Sequence, residues 1–86
     1  ARGKTVSRQS IKTDGDGRLR KLGAAIRAAR LERGLSQEAL ADASGLDRSH
    51  MGKVERGERN VSVLNVARVA EALNTSIASL MASAGL

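Results

Sequence analysis

Residues 35–57 read LSQEALADASGLDRSHMGKVERG, a run in which Ser36 and Asp47 can start helices and Gly45 and Gly57 can end them. Ser36 is placed to cap a helix, because its hydroxyl can accept a hydrogen bond from a free amide of the first turn. Leu40 and Ala41 then fall on one side of residues 37–43, and Gly45 supplies the residue that ends the segment. Asp47 can cap a second segment, residues 48–56, in which Met51 and Val54 share a face and Gly57 is the left-handed stop. The result is two short helices joined by a tight glycine-containing turn. Arg48, Ser49, His50, Gly52 and Lys53 are left off the apolar face of the second.

Toward the N-terminus, Leu19, Leu22, Ile26 and Ala29 recur at helical spacing while Arg20, Lys21, Arg27 and Arg33 fall elsewhere. This predicts an amphipathic first helix ending near Gly34. Toward the C-terminus, a polar loop of Glu58, Arg59 and Asn60 leads to Ser62, which caps a fourth helix with Val63, Val66, Ala70 and Leu73 inward. Ser76 caps a fifth that carries Ile77, Leu80 and Met81. No segment alternates as a strand would, and no repeat is present. The expected fold is all-α, a five-helix helix-turn-helix domain over residues 18–86. Residues 1–17 show neither period, have only Val6 and Ile11 as sizeable hydrophobes and close on Asp-Gly-Asp-Gly, which predicts a flexible basic N-terminal arm.

Composition narrows the function. The chain has 86 residues, enough for one small domain, with a formal net charge of +6. Zero Cys and one His exclude a disulfide framework, a Cys-based zinc site and a thiol nucleophile, so neither metal nor cofactor is expected. The absence of Phe, Trp and Tyr removes the platforms on which single-stranded nucleic acid is stacked and leaves an aliphatic core. Apolar residues come in short pieces, with no membrane span and no secretory signal, so a soluble cytoplasmic protein without membrane contact is expected. Charge is uneven: residues 1–33 hold ten basic against three acidic residues, and the rest sum to −1. Such an excess is an electrostatic footprint for polyanions.

Leu35-Ser36-Gln37-Glu38, Leu40-Ala41, Gly45-Leu46, Ser49, Met51, Val54-Glu55-Arg56-Gly57 and Ala70-x-x-Leu73 resemble the lambda-repressor and Cro-like (XRE-type) helix-turn-helix family, over about residues 19–81. Residues 45–62 are most similar to the controller proteins of restriction–modification systems. The resemblance implies a transcriptional regulator of double-stranded DNA, and physics agrees. A B-DNA major groove admits one α-helix, read from its N-terminal and outward residues. Arg48, Ser49, His50 and Lys53 are therefore the candidate base contacts. Ser36 and Gln37 at the start of the second helix, with Arg59 and Asn60 in the later loop, are the candidate phosphate contacts. Arg30 and Glu55 match the family positions of an ion pair between the third and first helices. His50 has no nucleophile or carboxylate constellation around it, so no enzyme is expected.

One helix-turn-helix touches little DNA, and a two-fold dimer on half-sites about 34–36 Å apart is the usual solution. The apolar fifth helix offers Ile77, Leu80 and Met81 for a homodimer interface on a near-palindromic operator. The competing view is that Ile77 and Leu80 close the core. No convergent polar pocket suggests a small-molecule ligand. Two other functions stand beside the regulator: an antitoxin-like or bridging interaction module with secondary DNA binding, and a nonspecific binder acting through the arm alone.

Overall fold

The computed structural model describes residues 15–86. Among them the chain forms five helices and no strand: α1 (Arg18–Glu32), α2 (Gln37–Ser44), α3 (Arg48–Glu55), α4 (Val63–Ala72) and α5 (Ile77–Ala84). The arm expected over residues 1–17 lies mostly outside the described residues. Four of the five helix starts carry a side-chain cap at a residue the sequence pointed to. Ser36 accepts from the amide of Ala39 at 2.9 Å, Ser62 from Asn65 at 3.1 Å and Ser76 from Ser79 at 3.0 Å. Asp47 accepts from the amides of Ser49 and His50 at 3.0 and 3.3 Å. Each bond satisfies an amide that the helix itself leaves without a partner.

α2 ends on Gly45 with φ +75°, and the Leu46 amide returns to the Ala41 carbonyl at 2.9 Å, so a three-residue turn carries the chain into α3. α1 packs on α3 and α5, α2 packs on α3 and α4, and α4 packs on α5. Ile26, Leu40, Met51, Val69, Leu73 and Leu80 are the largest fully buried side chains, so every helix sends at least one aliphatic group to a common centre. With no aromatic ring available, this aliphatic packing is the whole core.

Two expected placements need comment. Val63, expected to face inward, is 75% exposed, and its neighbour Leu64 is 60% exposed. Val63 is the first residue of α4 and extends past the end of the core, which Val66, Val69, Ala70 and Leu73 fill. Leu80, expected at a dimer interface, is 2% exposed and packs in the core of its own chain, the alternative role the sequence left open for it. It lies on the face of α5 turned toward α1 and α4, the two helices that cover it. Ile77 and Met81 are half-buried at the edge of the same core.

Candidate nucleic-acid interface

Three polar residues fix α3 to the rest of the domain. Arg30 donates from Nε and Nη2 to the two carboxylate oxygens of Glu55, at 2.7 and 3.0 Å, in a two-pronged ion pair. Its Nη1 donates to the Leu35 carbonyl at 2.9 Å, and Gln37 Nε2 donates to Glu55 Oε1 at 2.9 Å. The side chains of Arg30 and Glu55 are only 8% and 1% exposed. α1, α2 and α3 therefore meet on one buried carboxylate that accepts three hydrogen bonds over its two oxygens. The expected pairing of Arg30 with Glu55 is present, and the structure adds Gln37 to it.

A close backbone approach works with this network. A Cβ on Gly23 of α1 would lie 2.4 Å from the carbonyl oxygens of both Val54 and Glu55, so only glycine lets α1 touch the last turn of α3. Gly57 adopts φ +73° directly after α3, and a Cβ there would meet the backbone of Arg20 at 2.7 Å. Both ends of the contact thus hold the angle of α3 against α1.

The opposite face of α3 is polar and open. Gln37, Arg48, Ser49, Gly52, Lys53 and Arg56 line a shallow cleft of about 280 Å³. Arg48 and Ser49 are exposed and Lys53 is half-buried. Gly52 is the floor: a Cβ there would come within 3.3 Å of Arg56 Nη1 and 3.6 Å of Gln37 Oε1. His50 is half-buried and stands roughly 100° around the helix from Ser49, off the arc shared by Arg48, Ser49, Gly52 and Lys53. Arg59 and Asn60 are exposed in the loop after α3, where Arg56 also pairs with Glu58 at 3.1 Å.

At the N-terminal end of this face, Asp47 Oδ2 accepts from the Ser49 hydroxyl as well as from the two amides. These bonds, the Ser49 hydroxyl first and then the backbone amides of His50 and Ser49, hold the Asp47 carboxyl below its ordinary value. Asp47 is therefore a charged cap at neutral pH. Among the described residues no group of three or more His, Asp or Glu side chains is arranged to hold a metal ion, and no helix is long and apolar enough to cross a membrane.

The structure brings the expected base contacts Arg48, Ser49 and Lys53 and the expected phosphate contact Gln37 to one cleft, and leaves Arg59 and Asn60 in an exposed loop. Sequence reasoning missed three residues. Gly23 was detectable, because a glycine inside a helix costs about 1 kcal/mol against Ala and marks a close approach when it persists. Arg56 joins the cleft one turn after Gly52, which the helical period alone would have placed. Arg33 donates to the Leu73 carbonyl and to the Ala29 carbonyl, tying the end of α1 to the end of α4. No local pattern signals that bond, since it joins residues 40 positions apart.

Residues 26–80 match the Helix-turn-helix family. The control protein C.SmaI of Serratia marcescens is 48% identical over 61 residues, which cover 71% of this chain and 73% of that protein. The crystal structure of the restriction-modification controller protein C.AhdI from Aeromonas hydrophila superposes with a TM-score of 0.71 at 52% identity, covering 72% of this chain and 94% of that one. The clp gene regulator ClgR from Corynebacterium glutamicum gives a TM-score of 0.77 at 34% identity, over 79% and 87% of the two chains. The chain belongs to the helix-turn-helix family of DNA-binding transcription regulators.

Proposed function

We propose that this protein is a sequence-specific regulator that binds a near-palindromic operator as a homodimer and controls the expression of restriction–modification genes. One observation carries the reading: α3 is locked from behind by the Arg30–Glu55–Gln37 network while Arg48, Ser49 and Lys53 line the cleft on its outer face. A rigid helix with a polar outer face is what the major groove accepts. The controller role is supported by the similarity to C.SmaI and C.AhdI, which are named for it.

Arg48 donates to the acceptor edge of guanine, and Lys53, more than one turn further along α3, reaches a base or phosphate. The Ser36 and Gln37 end of α2 approaches a phosphate with its free first-turn amides, and Arg59 and Asn60 grip the backbone on the other side of α3. His50 flanks this surface. A second copy joins through the outer edge of α5, where Ile77 and Met81 are half-exposed, and sets two copies of α3 about one helical turn apart. The activity is binding alone, in the cytoplasm, with no cofactor and no small-molecule ligand.

The reading is tested by fluorescence anisotropy at about 150 mM salt, where purely electrostatic binding is weakened. Protein lacking residues 1–17 is expected to keep its preference for an enriched duplex over a scrambled one. Loss of all preference with the arm removed would move the function to the arm. A reporter placed behind the DNA upstream of this gene should respond to the protein, and a reporter that stays constant would contradict the controller role.

A further inference from the structure

We propose that Ser49 reads its base as a hydrogen-bond acceptor, selecting the exocyclic amino group of cytosine or adenine, and that Asp47 imposes this polarity. The inference rests on the DNA-reading role of α3 given above. Ser49 is exposed at the second position of α3 and lines the cleft beside Arg48, Gly52 and Lys53. A serine hydroxyl has one proton and two lone pairs, and left to itself it rotates to serve a donor or an acceptor. Here the proton is committed to Asp47 Oδ2. The same oxygen receives the amides of Ser49 and His50 at 3.0 and 3.3 Å, so the carboxylate cannot turn away without uncapping α3. A hydroxyl that donates to a carboxylate is held more strongly than one that donates to a neutral group. Those bonds also keep Asp47 ionised.

Only lone pairs remain for the cleft. In the major groove the amino groups of cytosine and adenine are the base donors, whereas guanine N7 and O6 and thymine O4 are acceptors. Arg48 has donors alone. Consecutive residues of α3 therefore present opposite polarity, Arg48 toward an acceptor edge and Ser49 toward a donor. An unrestrained serine accepts either edge, so the discrimination belongs to the Asp47–Ser49 pair and not to Ser49 by itself.

The test starts from duplexes selected from a random pool by the wild type, Ser49→Ala and Asp47→Gly, each confirmed as folded by its thermal melt. Glycine is tolerated at a helix N-cap, so Asp47→Gly releases the hydroxyl while keeping α3. The half-site position that becomes degenerate in Ser49→Ala is then rebuilt with base analogues. Deleting the exocyclic amino group there should weaken wild-type binding about 2- to 12-fold. The same deletion should leave Ser49→Ala unchanged and affect Asp47→Gly much less than the wild type. Replacing the purine N7 by carbon at that position should leave wild-type affinity unchanged. A Ser49-dependent loss on removing N7, or no position that responds to Ser49→Ala while Arg48→Ala still erases one, would overturn the proposal. A wild type that enriches no sequence would overturn the base-reading role itself, a failure distinct from both.

Discussion

Arg48 is the first residue of α3 and is exposed. If its guanidinium takes a guanine two-handedly, Arg48→Ala should cost about 1–3 kcal/mol at one base position and leave the others intact. A selected site that keeps that base in the Arg48→Ala protein would remove Arg48 from the reading set. Asp47, one residue earlier, makes a prediction about acid. Hydrogen bonds depress its carboxyl in the folded state, so the unfolded chain binds that proton more readily. The contribution of the cap is complete above the ordinary carboxylate value and disappears as the pH falls through the depressed folded value. The wild type should therefore melt above Asp47→Ala at neutral pH, and the gap should close in acid. A gap that stays constant down to the lowest pH would show that charge on Asp47 does not stabilise α3.

At the scale of elements, the seating of α3 against α1 is the feature on which the polar face depends. Glu55→Ala leaves the Arg30 guanidinium buried without a counter-charge, and denaturant unfolding should show a loss of about 3–5 kcal/mol. Arg30→Met combined with Glu55→Leu should lose much less, because no unpaired charge is left behind. Gly23→Ala should cost about 1–3 kcal/mol through overpacking, since its methyl group meets two carbonyls of α3 and must push the helices apart. It should also weaken DNA binding beyond what its stability loss explains, as α3 tilts. Unchanged stability and affinity would show that the contact relaxes at no cost.

The helix boundaries were legible in the sequence because capping is local: Ser36, Asp47, Ser62 and Ser76 announce their own helices, and Gly45 and Gly57 close theirs. The α3 face was legible for a related reason, since Met51 and Val54 fix the helix phase and leave Arg48, Ser49 and Lys53 outside. Contacts distant in sequence were not. Nothing near Gln37 says that its amide reaches Glu55, and nothing near Arg33 points to Leu73. Val63 failed for the complementary reason. Periodicity gives a residue its angle around a helix, whereas burial also depends on where along the helix the neighbouring elements lie.

For the whole molecule, Leu80 changes how the dimer must be probed. Leu80→Asp would place a charge in the core and unfold the chain, so it says nothing about association. Met81→Glu is the informative variant, because Met81 is half-buried at the rim. Sedimentation at micromolar concentration should show the wild type as a dimer and Met81→Glu shifted toward monomer, with a melt little changed. A wild type that sediments as a monomer at all concentrations would contradict the α5 interface.

Selection of bound duplexes from a random-sequence pool at about 150 mM salt, where counterion competition suppresses purely electrostatic binding, separates base reading by α3 from attraction by charge. Two inverted half-sites about one helical turn apart should be recovered, one for each α3 of a two-fold dimer. Recovery of duplexes with no enriched sequence would contradict base reading by α3, because the chain would then bind DNA by charge alone.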